Sequence, residues 1–141
     1  MKMNKNDIEK VLPHRDPMLL VETAELIQTD EGERGIATYN VRGDEFFLQG
    51  HFPDNPVVPG VILVEMMVQG CVAFFKKMDN KGFLTGIQNA KFKSPVKPGD
   101  NIRIVTEIIK QARIFIFAKG EIYVGDKMHA TAEFSFAVMP N

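Results

Sequence analysis

One apolar segment limits how this chain can fold. Residues 61–77 (VILVEMMVQGCVAFFKK) span about four helical turns and exceed the length of a typical strand. Pro59 stands just before the segment, where the missing N–H of proline costs a helix least. Because apolar residues occur nearly all the way round the predicted helix, it has to be buried on most of its sides. The rest of the chain must therefore supply structure that covers a helix.

The segments after this helix alternate between apolar and polar residues, as half-buried strands do. Strands are predicted at residues 83–92, 101–110, 113–124 and 127–138. Before the helix, the pattern predicts a helical turn at 6–12, strands at 18–26 and 34–41, and a structured loop at 42–59. The order favours an α+β fold in which a curved antiparallel sheet wraps around one long central helix, with an antiparallel meander after that helix.

Length and composition are those of an ordinary globular domain. The 141 residues suit one domain, 1–141, with a core that needs no disulfides. The single cysteine, Cys71, has no partner for an internal disulfide, which favours a reducing compartment. The N-terminus is polar, unlike a signal peptide, and no segment reaches the roughly 20 apolar residues of a membrane span. We therefore expect a cytoplasmic protein.

Charge is unevenly distributed along the chain, although the net charge is only −1. Between residues 76 and 103 there are seven basic residues and two acidic ones. Both a solvated face and a docking surface for an acidic partner explain such a segment. Nucleic acid is not expected, because the domain as a whole is not basic. The basic residues are Lys76, Lys77, Lys81, Lys91, Lys93, Lys97 and Arg103.

Glu65 is a carboxylate in the middle of the apolar helix. An ionised carboxylate there is unfavourable unless it is paired, hydrogen-bonded or protonated. Gln69 lies on the same helical face four residues later, so the two side chains form a polar stripe and a candidate site. We expect burial to raise the pKa of Glu65 and to keep it protonated near neutral pH, as a proton donor.

His51 lies fourteen residues before Glu65, in a loop with three prolines. Prolines restrict the backbone and would hold the imidazole in place as a general base. The helix start at Gly60 adds N–H groups and the positive end of the helix dipole, which would stabilise an oxyanion. A base, an acid and an oxyanion site suit removal of a proton α to a carbonyl with loss of a β-hydroxyl. That reaction is the dehydration of a 3-hydroxyacyl group.

Three segments resemble the motifs of FabZ-type (3R)-hydroxyacyl-[acyl-carrier-protein] dehydratases, and the resemblance as a whole runs in order from about residue 12 to residue 136. They are LPHRDPMLLVE, HFPDNPVVPGVILVEMMVQ and FLTGIQNAKFKSPVKPGD. The resemblance implies the hotdog fold and dehydration of 3-hydroxyacyl chains carried on phosphopantetheine, with no metal or redox cofactor. It also implies acyl carrier protein as an acidic partner, and a homodimer that assembles into a hexamer.

The resemblance assigns a role to each of five residues. His51 matches the catalytic base, and Glu65 matches the acid, which this family supplies from the other protomer of a dimer. Gly60 matches the residue whose N–H binds the thioester oxygen, and Gln69 matches a glutamine that hydrogen-bonds near the acid. Phe83 matches an aromatic residue that gates the acyl tunnel.

Two other functions fit part of the pattern. A hotdog acyl thioesterase would use a carboxylate to activate water, and a non-catalytic acyl-binding subunit would not need His51 as a base. Asp16, Asp54 and Gln88 depart from residues common in the family, which leaves the tunnel entrance and carrier docking open.

The other histidines receive structural interpretations. His14 and Arg15 are expected to hold their loop, and His129 is expected to lie exposed on a strand. The histidines lack the spacing of a zinc site, so no metal is expected.

Overall fold

The computed structural model describes residues 2–51 and 54–140, so Phe52 and Pro53 of the proline-rich loop lie outside the described residues. The helices are α1 (Lys5–Glu9), α2 (Gly60–Gln69) and α3 (Val72–Met78), with a 3₁₀ turn at Phe46–Leu48. The strands are β1 (Lys2–Met3), β2 (Thr23–Thr29), β3 (Gly32–Asn40), β4 (Asn80–Phe92), β5 (Asn101–Ala112), β6 (Phe115–Val124) and β7 (Lys127–Pro140). None of these helices is long and apolar enough to cross a membrane.

These seven strands form one antiparallel sheet in the order β1-β2-β3-β5-β6-β7-β4. The predicted wrapping of a sheet around a central helix is confirmed. One detail of the predicted meander is wrong, because β4 pairs with β7 and not with β5. Apolar alternation shows which face of a strand is buried, but it does not show which strand lies beside it.

The predicted helix over residues 61–77 is divided into α2 and α3 at Gly70 and Cys71. Cys71 departs from helical geometry with a ψ angle of 4°, and Gly70 before it has a ψ angle of −12° at the end of α2. A Cβ atom on Gly70 would lie 2.6 Å from Cγ2 of Ile104, so the glycine lets the helical layer approach β5 closely. Cys71 is fully buried at this junction.

The core lies between the two central helices and the concave face of the sheet. Met66 and Met67 of α2 are fully buried, and so are Ile116 of β6 and Phe134 and Phe136 of β7, which belong to the same hydrophobic cluster. Burial of each such side chain contributes roughly 1.5–3 kcal/mol to folding. The sheet therefore covers the apolar helix as its composition requires.

The free edge of the sheet at β4 is exposed and apolar. Leu84 and Ile87 stand opposite the buried Phe136 and Phe134, so they point to the same face as the core. They are 39% and 49% exposed nevertheless. An apolar edge strand with unpaired backbone groups is a surface that another chain can cover.

Candidate active site

His51 lies in the wall of a cleft of about 370 Å³ beside the start of α2. The cleft is lined by His51, Val57, Val58, Gly60, Leu63, Phe92, Lys93, Ser94, Pro95 and Val96. The Nδ1 atom of His51 is 2.9 Å from the carbonyl oxygen of Val57. A proton on Nδ1 donates to this carbonyl, and the neutral ring then carries its basic lone pair on Nε2. The imidazole is thus oriented as a general base requires.

His129 fixes the part of the cleft wall that residues 93–95 form. Its Nδ1 atom lies 3.0 Å from the carbonyl oxygen of Pro95, and its own carbonyl oxygen accepts a hydrogen bond of 2.8 Å from the N–H of Lys93. The prediction that His129 is exposed is wrong, because the side chain is buried. A bulge explains the difference: Ile122 pairs with Ala130 and Tyr123 pairs with Met128, so His129 is an extra residue that breaks the alternation.

Gly60 begins α2 and lines the cleft together with His51. Its N–H lies at the positive end of the helix dipole, as an oxyanion site needs. The ring of Phe92 lies directly over it, since a Cβ atom on Gly60 would be 2.9 Å from Cζ of that ring. Sequence reasoning missed Phe92, whose place beside Gly60 depends on how β4 packs against α2.

Glu65 lies on α2 with about a quarter of its side chain exposed, and His14 contacts it. Its Oε2 atom accepts a hydrogen bond of 2.9 Å from Nε2 of Gln69 and lies 3.4 Å from Nε2 of His14. Burial by itself would raise the pKa of Glu65, but the hydrogen bonds from His14 and Gln69 and the charge of His14 outweigh burial. The pKa is therefore lowered, and the expectation that burial raises it is wrong. Apolar neighbours along the helix gave no sign of a histidine that comes from residue 14.

Gln69 fixes the position of Glu65 from inside the core. It is 1% exposed, and its Oε1 accepts a hydrogen bond of 2.8 Å from the N–H of Leu20. Its Nε2 donates to the carbonyl oxygen of Met18 at 2.8 Å as well as to Glu65. Both donors and the acceptor of the amide are used, so Gln69 has one orientation. The predicted contact between Gln69 and the acid is present.

Two of the five candidate residues line the cleft, and the other three do not. His51 and Gly60 share the cleft. Glu65 and Gln69 do not line the cleft and instead face the loop that carries His14. Phe83 lies on the edge strand β4, is 53% exposed and also does not line the cleft. Within residues 2–51 and 54–140, no three His, Cys, Asp or Glu side chains lie close enough to hold a metal ion.

Comparison with known proteins agrees with this architecture. The family model of the FabA-like domain matches residues 12–133. The 3-hydroxyacyl-[acyl-carrier-protein] dehydratase FabZ of Alkaliphilus metalliredigens is 37% identical, over 100% of this chain and 98% of the relative. The enzyme of the same name from Geobacillus sp. strain WCH70 is 42% identical, over 93% of this chain and 92% of the relative.

Solved structures share the fold at lower identity. The dehydratase heterocomplex ApeI:P from Xenorhabdus doucetiae superimposes with a TM-score of 0.72 at 23% identity, covering 95% of this chain and 91% of that chain. The fluoroacetyl-CoA thioesterase FlK superimposes with a TM-score of 0.65 at 14% identity, covering 77% of this chain and 86% of that one. The hotdog fold predicted from the resemblance is thus confirmed. Together with the FabA-like match over most of its length, the curated relatives show that this chain belongs to the FabZ-type dehydratases.

Proposed function

We propose that the chain converts (3R)-hydroxyacyl thioesters on acyl carrier protein into trans-2-enoyl thioesters, at a site that two protomers share. The enzyme class follows from the FabZ-type relatives, which are dehydratases of this kind by name. The observation that carries the shared site is that Glu65 contacts His14 and does not line the cleft that holds His51. In the proposed dimer, His51 of one protomer works with the partner subunit's Glu65.

The exposed edge at β4 supports dimer formation. A second copy related by a two-fold axis would pair its β4 with this β4, extend the sheet and cover Leu84 and Ile87. Phe83, exposed on the same strand, would then lie at the interface, where a residue that gates an acyl tunnel is needed. Assembly of dimers into a hexamer remains a prediction from the resemblance.

The chemistry divides among three groups. Nε2 of His51 takes the proton from the carbon α to the thioester carbonyl. The N–H of Gly60 at the helix start stabilises the negative charge that develops on the carbonyl oxygen. The carboxyl group of the partner subunit's Glu65 gives a proton to the leaving β-hydroxyl, which departs as water.

The basic segment is proposed as the docking surface for acidic acyl carrier protein, in the cytoplasm. Lys93 carries this proposal, because it lines the His51 cleft, where the carrier must deliver its acyl chain. Lys91 and Lys97 are exposed near it in sequence. Lys77 contributes less, because its ammonium group is paired with Glu33 at 2.9 Å. Lys76, Lys81 and Arg103 complete the predicted surface.

The test follows loss of enoyl absorbance when a trans-2-enoyl thioester, on carrier protein or on CoA, is hydrated. We expect His51→Ala and Glu65→Gln each to lower turnover at least about 100-fold, the lower range for loss of a general acid or base. Glu31→Gln is the matched control, because that carboxylate is 87% exposed in the turn between β2 and β3 and does not line the cleft. Unchanged turnover in His51→Ala would contradict the proposed role of His51. No hydration by the wild type on either carrier would favour the acyl-binding subunit, and release of free thiol would favour the thioesterase.

A further inference from the structure

The loop that carries His14 is fixed by several hydrogen bonds, so the imidazole has a defined place beside Glu65. The guanidinium of Arg15 donates to the carbonyl oxygens of Leu12 at 2.9 Å, His14 at 2.8 Å and Glu9 at 3.0 Å. Gln69 holds the other end of the same loop at Met18. The expected role of Arg15 in holding the loop is thus visible, and the loop in turn presents His14 to the carboxylate.

The two ring nitrogens of His14 have different surroundings. Nε2 lies 3.4 Å from Glu65, and Nδ1 is buried with no hydrogen-bond partner among the residues that the structure describes. The carboxylate favours a proton on Nε2 and favours the cationic ring. A second N–H at the buried Nδ1 would be unpaired, which disfavours the same cation. Nε2 is thus the ring nitrogen that can exchange a proton with the carboxylate.

The proposed reaction creates a need for such a group. Glu65 has to deliver a proton to the leaving hydroxyl, yet its surroundings keep its pKa below the ordinary carboxyl value. In contact with His14 and Gln69, the Glu65 carboxyl group is thus biased toward its ionised form. Its Oε2 atom lies 3.4 Å from Nε2 of His14, a ring nitrogen from which a proton can pass to the carboxylate.

We propose that His14 is a positioning residue for the dehydration, which acts through Glu65 by storing the proton that this carboxyl delivers. The acid of the reaction is then the His14–Glu65 pair and not Glu65 alone. This inference rests on the proposed function, because Glu65 has a proton to deliver only if the chain is a dehydratase that uses it.

The proton movements balance in this scheme. The electron pair of the Cα–H bond forms the new double bond as His51 takes the proton. The Cβ–O bond breaks, its electron pair stays on the oxygen, and that oxygen takes the proton of the pair and leaves as water. His51 then releases one proton to solvent, and the His14–Glu65 pair takes one up. No oxidant, reductant or co-reactant is required.

The charged groups around the pair do not replace His14. Of the charged side chains, His14 is the one whose charge lowers the pKa of Glu65. Arg15 is engaged by backbone carbonyls, and Asp16 forms an exposed ion pair of 2.6 Å with Lys5. The apparent pKa on the alkaline side of the pH profile therefore belongs to the pair.

The decisive experiment compares the pH dependence of kcat for the wild type and His14→Gln. A glutamine amide still donates a hydrogen bond to Glu65 but stores no proton. We expect the alkaline limb to move toward acid by about one to two pH units, from the imidazole range toward the carboxyl range. On that limb kcat then falls by about tenfold to 100-fold, with a smaller change in KM. Asp16→Asn, which removes a charge from the same loop, is the control that keeps the wild-type profile.

Two outcomes separate failure of this inference from failure of the proposed function. A folded wild type without dehydratase turnover overturns both. If the wild type is active and His14→Gln has the same pH profile, the inference alone is overturned. The same holds if His14→Gln lowers kcat by an equal factor at every pH. A second measurement, ¹⁵N NMR titration of histidine-labelled protein, needs no turnover. The Nε2 resonance of His14 should respond to Glu65→Gln, which replaces the carboxylate that this nitrogen contacts, and a resonance unchanged at every pH contradicts the proposal.

Discussion

Mixing two inactive variants tests whether His51 and Glu65 work in different chains. His51 lines the cleft and Glu65 faces the His14 loop, so one substitution leaves the other surface intact. In a dimer of His51→Ala with Glu65→Gln, one of the two sites lacks both groups and the other has both. We therefore expect activity to return when the two variants exchange subunits.

The size of the recovery follows from random pairing. With equal amounts of the variants, about half of the dimers are mixed and each has one intact site of two, so about one quarter of the wild-type activity returns. Each variant alone should retain about 1% or less, as expected for loss of a general acid or base. The gain is therefore at least about 25-fold and far above assay error.

The assay is enoyl thioester hydration after brief exposure of the mixture to mild denaturant and its removal. Each variant treated alone controls for recovery from the denaturant, and unmixed variants combined just before the measurement control for slow exchange. Mass spectrometry of the intact dimers should report the mixed species. Mixed dimers present at the expected fraction without any gain in activity would refute the division of the site between chains.

Three further changes test single contacts. Gly60→Ala places a methyl group 2.9 Å from the ring of Phe92, so turnover should fall about tenfold. Adding Phe92→Ala should recover part of this loss. Unaffected turnover in Gly60→Ala would argue against the close packing. Gln69→Leu leaves the buried N–H of Leu20 unpaired and should lower the free energy of unfolding by about 1–3 kcal/mol in urea titrations, whereas no loss would mean that this hydrogen bond is dispensable. Burial raises the pKa of Glu45, but hydrogen bonds from backbone N–H groups and from a tyrosine hydroxyl lower this pKa overall. The ionised carboxylate therefore stabilises the folded chain above the pKa of the unfolded state, and this stabilisation is lost as the pH falls from that pKa through the lower folded one. Urea titrations should thus show a smaller acid-induced loss of stability for Glu45→Gln than for the wild type, and equal losses would contradict the assigned pKa direction.

Patterns of apolar residues predicted most of the fold, because burial on one side of an element repeats with a regular period. The strands at 101–110 and 127–138 followed from alternation, and the central helix followed from its length and composition. The pairing of β4 with β7 was not predictable in this way, since an edge strand and an inner strand have similar patterns over a few residues. The break at Gly70 depends on contact with β5, which the helix pattern does not contain.

The site was predictable where its residues are close in sequence. His51 and Gly60 belong to one motif and share one cleft. The missed features come from distant segments or irregular backbone. His14 meets Glu65 only in the folded chain, and His129 turns inward only because of a bulge. The predicted rise in the pKa of Glu65 was wrong for the same reason, because the contact that most lowers this pKa comes from His14, which is distant in the sequence.

The exposed edge at β4 has a practical consequence for kinetic work. In the proposed dimer a lone subunit has no complete set of reacting groups, so specific activity depends on how much of the protein is associated. Dilution into an assay then changes the number of working sites as well as the enzyme concentration. Rates measured across a wide range of enzyme concentrations would yield the dissociation constant of the subunits, and a rate constant taken at one low concentration would underestimate the chemistry.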